Sequence, residues 1–186
     1  MAKVIIMNGP PGVGKDTIAS SLLKLGFANG IESFKAPVFE IAESMLGMVG
    51  YARFKKAYND RACKERPCDA FGGLSPRQLM IHISESVIKP LFGDEYFGKR
   101  MVESINNGYV NGEVVVVPDG GFGSEITPLL RAGHGVIVVR LHRKGFTFEG
   151  DSRSYLETDD MVKAVDITLH DGDIEGAVKS VMEVIK

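Results

Sequence analysis

The chain has 186 residues, of which 44% are hydrophobic and 25% charged, and its formal net charge is −2. This is the composition of one globular domain with an ample core, and it excludes an overall basic field that would draw the chain onto nucleic acid or an anionic membrane. No apolar stretch approaches the roughly 20 residues of a membrane helix, and the opening residues read as a strand and not as a signal peptide, so a cytoplasmic protein without nucleic-acid or membrane partners is expected.

Val4-Ile5-Ile6-Met7 marks a buried strand over about 3–8 and runs directly into Gly9-Pro10-Pro11-Gly12-Val13-Gly14-Lys15-Asp16-Thr17. The glycines at 9 and 14 with Lys15 satisfy G-x-x-x-x-G-K, the loop whose backbone N–H groups cradle nucleotide phosphates. Apolar residues at 18, 22, 23 and 25 continue it as a helix over about 15–25. Strand, loop and helix in this order set a phosphate on a helix N-terminus, where unpaired N–H groups and the helix dipole favour negative charge. Gly12, Val13, Gly14, Lys15, Asp16 and Thr17 are therefore candidate ATP ligands. Asp16 stands where the general pattern has a Ser or Thr hydroxyl on Mg²⁺. It is either a first-turn carboxylate favoured by the dipole or a group that holds the metal.

Further along, apolar runs and helical periods alternate, the mark of a parallel α/β sheet. A short second strand, Ile31-Glu32-Ser33-Phe34, precedes a helix opened by Pro37. Residues 50–74 are polar and irregular, with a local excess of four positive charges over 53–66. Cys63 and Cys68 are the only cysteines, and their C-x₄-C spacing without further ligands reads as two reduced thiols and not as a zinc site. Ser75-Pro76-Arg77-Gln78 starts a helix with a capping serine and a first-turn proline, and that helix is expected to stop at Pro90. Another helix covers about 95–106.

Val114-Val115-Val116-Val117 is a strand apolar on both faces, and Asp119 lies at its carboxyl end. A carboxylate there positions Mg²⁺ beside the phosphates in loop-type nucleotide enzymes, and open α/β sheets bind ligands at that edge. A helix over about 123–132, a strand over 136–140, a loop over 141–157, a strand over 165–169 and a helix over 173–186 complete the chain. The loop 141–157 carries Arg143, Lys144 and Arg153, with glycines at 145 and 150.

Gly14-Lys15-Asp16-Thr17 resembles the tailed-phage deoxynucleoside monophosphate kinases, among the P-loop nucleoside monophosphate kinases. Ser33-Phe34-Lys35-Ala36-Pro37 is similar to the segment after their second strand. Ser75-Pro76-Arg77-Gln78-Leu79-Met80 is similar to their helix start with a substrate-binding arginine. Val165 to Gly172 is similar to their final strand and the Asn-Asp-Gly turn beside adenine, with His170 in place of the Asn. In order and spacing the resemblance spans nearly the whole chain.

The resemblance implies a P-loop three-layer α/β/α fold with a five-stranded parallel sheet. It implies a core of about 1–34 and 109–186, a helical substrate-binding insert of about 35–108 and a lid of about 141–157. The implied activity is transfer of the γ-phosphoryl group of ATP, with Mg²⁺, to a (deoxy)nucleoside monophosphate, in the host cytoplasm if the chain is of phage origin; a homodimer is left open. Lys15, Asp119, Arg153 and Arg143 are the implied catalytic groups, and Asp16 and Asp119 the metal-holding ones. Arg140, His170 and Gly172 fall near the adenine, and Lys35, Arg77, Glu85 and Arg100 near the acceptor.

Two departures stand out. Relatives often carry Arg shortly after the strand-end Asp, where this chain has Gly120-Gly121-Phe122-Gly123. Relatives also often show Gln and Gly-Thr where this chain has Ile81-His82-Ile83-Ser84-Glu85, so a different base pocket is expected. The alternatives are a small-metabolite kinase of similar build and a nucleotide-dependent switch or packaging accessory protein. A GTP switch calls for Asn-Lys-x-Asp, which the chain lacks, and a packaging ATPase for a hydrolytic Glu where Gly120 stands.

Overall fold

Five runs rich in β-branched residues pair into one parallel sheet. In the computed structural model, which describes residues 1–151, 153–158 and 162–185, they are β1 (Lys3–Asn8), β2 (Gly30–Ile31), β3 (Val114–Val117), β4 (Gly135–Arg143) and β5 (Lys163–Leu169). Their order is β2-β3-β1-β4-β5, and every neighbouring pair is parallel. The helices are α1 (Lys15–Lys24), α2 (Ala36–Asn59), α3 (Arg61–Lys64), α4 (Pro76–Ile81), α5 (Lys89–Phe92), α6 (Tyr96–Gly108), α7 (Gly123–Arg131) and α8 (Ile174–Ile185). Among the described residues no helix is long and apolar enough to cross a membrane.

The chain divides into two units, residues 1–34 with 97–186 and residues 35–96. The first holds the sheet. Val4, Ile5, Ile6 and Met7 are fully buried, because a parallel strand covered on both faces has no solvent side to keep polar. Ile5, Met7, Val139 and Leu141 pack with Ile18 and Leu22 of α1 and Val178 and Val181 of α8. The alternation of a strand sends Val4 and Ile6 to the other face, where α7 packs on β4. From β1 the chain first goes to one side, for β2 and β3, and then crosses to the other, for β4 and β5. The phosphate loop thus leaves β1 at the topological switch point, where open α/β sheets place their ligands.

Several boundaries differ from the sequence reading. β2 stops at Ile31 because Ser33 and Phe34 leave the sheet to bond Asp119. β4 runs to Arg143 because β5 pairs with it as far as Arg143↔Leu169, so the segment expected as a lid from 141 begins only after 143. α6, expected within the insert, belongs with the sheet unit: Ser104 Oγ donates to Glu32 Oε2 at 3.1 Å just beyond β2. The second unit accordingly ends at Tyr96 and not near 108.

That second unit is helical. α2 turns at Gly47, which has φ 64, and continues to Asn59, through residues expected to be irregular. An aromatic cluster holds this stretch: Phe54 is fully buried, with ring centroids 6.2, 6.1, 5.8 and 5.6 Å from those of Phe39, Tyr51, Tyr58 and Phe71. The expected cap at Ser75 is present as a reciprocal pair: Ser75 Oγ accepts from Gln78 N–H at 3.2 Å and Gln78 Oε1 from Ser75 N–H at 2.9 Å. The helix does not stop at Pro90. Residues His82–Ile88 widen into π-type turns, with Lys89 N–H donating to Ser84 O five residues back. That register change accommodates a proline, which has no N–H to donate, in the next turn.

Candidate active site

The phosphate loop bridges Asn8 and Lys15. Gly14 sits at φ 119 and ψ 10, a backbone conformation in which a side chain is strained, and it offers no capping side chain to α1. Val13 is buried and plugs the loop into the core beside Ile18. Lys15 is buried, and its Nζ donates to Gly9 O at 2.5 Å and Pro10 O at 2.8 Å. Asp16 and Thr17 are exposed on the first turn.

β3 lies directly beside β1, with Ile6 opposite Val117, so Asp119 comes to the same edge as the loop. Its carboxylate is oriented by the residues after β2: Oδ2 accepts from Ser33 Oγ at 2.7 Å and Oδ1 from Phe34 N–H at 3.1 Å. The Gly120-Gly121 turn that follows has no space for side chains. A Cβ at Gly120 would stand 2.2 Å from Ile6 Cγ2, and one at Gly121 2.4 Å from Arg153 Cδ. Buried Glu125 closes the turn, its Oε2 accepting from Gly121 and Phe122 N–H at 3.0 Å each.

Gly121 therefore makes the seat for the aliphatic stem of Arg153, beside Asp119. The guanidinium is gripped by Asp151, with Nε on Oδ1 at 2.8 Å and Nη2 on Oδ2 at 2.7 Å. The Asp151 side chain is only 2% exposed. The other expected arginines are engaged across the β4–β5 pair. Arg140 Nη2 meets Asp166 Oδ2 at 2.7 Å, and Arg143 Nε meets Asp171 Oδ1 at 2.7 Å. His142 Nε2 takes the other Asp166 oxygen at 2.6 Å, and the hydrogen bonds from His142 and Arg140 hold the Asp166 carboxyl below the usual carboxylate range. The His142 ring stacks on Tyr155 at 4.3 Å, and the Tyr155 hydroxyl donates to Leu141 O at 3.0 Å. The segment after β4 is thus fastened to its own strand.

His170 and Gly172 lie in the turn after β5, where Asp173 N–H donates to His170 O at 3.2 Å, on the carboxyl edge shared with the loop. The four acceptor candidates are not brought together in one unit. Lys35, Arg77 and Glu85 belong to residues 35–96, whereas Arg100 is on α6 and pairs with Glu103 at 3.3 Å. Arg77 pairs with Glu65 at 3.3 Å, and Glu85 with Lys89 at 2.7 Å. Ser152, between Asp151 and Arg153, and residues 159–161 lie outside the described residues.

The sequence reading singled out neither Asn8, Glu125 nor Asp151. A trace of each was present: an Asn closing an apolar strand before Gly9, an acid at the third position of α7, and an acid two residues before Arg153.

Among the described residues no group of three or more His, Cys, Asp or Glu could hold a metal ion. A divalent cation would therefore take most of its ligands from the nucleotide's phosphates and from water, as Mg²⁺ does with one or two carboxylates. Asp119 is the carboxylate that would take that part, held at this edge by Ser33 and Phe34.

No family model and no curated protein matches this chain. Solved structures similar to it include a variant of the APS kinase of Mycobacterium tuberculosis, 13% identical over 99% of this chain and 96% of that one with a TM-score of 0.49. A gluconokinase of Sinorhizobium meliloti is 13% identical over 98% of this chain and 91% of that one, with a TM-score of 0.48.

Proposed function

We propose that this protein is an ATP-dependent kinase that phosphorylates a (deoxy)nucleoside monophosphate. The observation that carries the reading is the meeting, at one sheet edge, of a glycine-cornered phosphate loop, the buried ammonium of Lys15, the strand-end carboxylate of Asp119 and the guanidinium of Arg153.

ATP bound with Mg²⁺ supplies the phosphoryl donor and most of the metal's ligands. The protein's share is electrostatic. A monophosphate already presents an ionised oxygen as nucleophile, so no side chain has to remove a proton. The barrier lies in bringing two polyanions together and stabilising charge on the transferred group. Loop N–H groups and Lys15 hold the donor phosphates. Asp119 positions the metal, and Asp16 stands in the first turn of α1 as a second carboxylate. Arg153 exchanges Asp151 for phosphate oxygens, which match the same planar fork. In this reading Arg77 grips the acceptor, Lys35, Glu85 and Arg100 are its further candidate ligands, and Arg140, His170 and Gly172 border the adenine.

The test is a coupled ADP-release assay with ATP and Mg²⁺ across the common ribo- and deoxyribonucleoside monophosphates. Stimulation well above the background ATPase by one or a few of them is expected. Stimulation by none of them, with ATP still bound, would move the acceptor outside the nucleotides, to a small metabolite.

A further inference from the structure

Asn8 is fully buried at the end of β1, after the apolar residues 4–7. Its carboxamide has two N–H donors and one carbonyl oxygen, and every one of these is used on main-chain atoms, in the Gly120 turn and in the segment 154–156. Nδ2 donates to Gly120 O at 3.3 Å and to Ser154 O at 3.1 Å, while Oδ1 accepts from Leu156 N–H at 2.9 Å. The partners fix the orientation, because the opposite one would set the amide oxygen against two carbonyl oxygens. Asn8 itself and two of its three partners adjoin residues of the candidate site. Asn8 precedes Gly9 of the phosphate loop, Gly120 follows Asp119, and Ser154 follows Arg153.

We propose that Asn8 is the positioning residue that sets Arg153 against the phosphate loop and Asp119, an inference that rests on the kinase reading above. The Arg153 side chain is held by Asp151 and by the seat over Gly121. Neither of those contacts fixes its backbone relative to β1. The amide of Asn8 does so, through residues 154 and 156. A charged group that must meet a transferring phosphoryl depends on such registration, since a misplacement of about 1 Å costs about a hundredfold in rate.

Two measurements test this. In the nucleotide-free wild-type protein, the Leu156 amide hydrogen should exchange as slowly as the amides of the β1–β4 ladder. Asn8→Ala should speed that exchange by about tenfold or more, because its acceptor is gone. Fast exchange of Leu156 in the wild type overturns the proposal, whatever the variants do.

The second measurement is a kinetic cycle. Asn8→Asp keeps volume and acceptor but turns both donations into oxygen–oxygen repulsion. It should lower kcat by about tenfold or more while the KM for ATP stays within about twofold, as expected when a contact acts in the transition state. In an Arg153→Lys background the same change should cost less than about threefold, because Asn8 acts through Arg153. Equal losses in both backgrounds assign Asn8 to the fold alone and sink the proposal. Absence of ATP turnover in the wild type with every acceptor would instead sink the kinase reading, and the exchange measurement still decides whether Asn8 tethers the segment.

Discussion

The ammonium of Lys15 is buried against the carbonyls of Gly9 and Pro10. In the kinase reading, a phosphate entering the loop gains a charge-assisted contact with that ammonium. The contact strengthens as charge shifts during transfer. Lys15→Ala should therefore lower turnover by about 10²–10³, with a much smaller effect on thermal stability. Single-turnover phosphoryl transfer and a melting curve on the same preparation check both halves; near wild-type turnover would remove the loop from the chemistry. Lys15, Gly14 and Asp119 were legible in the sequence because the loop motif and the strand end each demand a residue type at a fixed place. Asn8 was not, because its partners lie 112, 146 and 148 residues away and are main-chain atoms that no residue pattern records. Glu125 escaped for another reason. The residue at the helix cap is Phe122, not the Ser, Thr, Asp or Asn that would have announced a capping pair.

Elements were legible where the period was unambiguous, as in β1, β3, β4 and β5 and in α1, α7 and α8. The second half of α2 was not. Its Arg53, Lys55 and Lys56 mask an aromatic set at 51, 54 and 58 whose burial only becomes evident once Phe39 and Phe71 close on it. Lys55 adds to the disguise, since its Nζ lies 4.2 Å from the Phe39 ring centroid and shields aromatic surface with a charged side chain. Pro90 misled in the opposite direction, because the wide turns before it remove the usual clash. Phe54 is the residue on which the cluster converges, so Phe54→Ala should cost about 3–5 kcal/mol, the range for emptying a buried aromatic site. Urea unfolding followed by circular dichroism would measure it. A loss under about 1 kcal/mol would mean that the neighbouring rings collapse into the space and that the cluster does not hold the helix.

At the scale of the whole molecule, the parallel sheet sorts residues between its two edges. Alternating strands and helices dictate that every loop after a strand falls on the carboxyl edge, which is why the phosphate loop, Asp119, Arg153 and the turn after β5 could be expected together from sequence. The candidate acceptor residues could not, because Lys35, Arg77 and Glu85 sit in a helical unit with no strand ends to order them. The amino edge carries a different feature. His134, in the turn between α7 and β4, is buried, and its Nδ1 accepts from Ala2 N–H at 3.3 Å. Burial first, and the amino-terminal ammonium second, push its pKa below the ordinary value. Protonation would charge a ring with little access to water and put a proton on the nitrogen that receives Ala2 N–H. The unfolded chain regains the ordinary pKa of about 6.5. Between that value and the lowered folded one, the unfolded state binds more protons, so stability must fall as pH decreases. Above about pH 6.5 both states are neutral there and the term vanishes. His134→Gln cannot titrate, and denaturant midpoints taken from pH 7.5 down to 5 should therefore decline less steeply for the variant than for the wild type. Parallel curves would show that His134 is as easily protonated in the folded protein as in the unfolded chain, and that the amino edge is open to water.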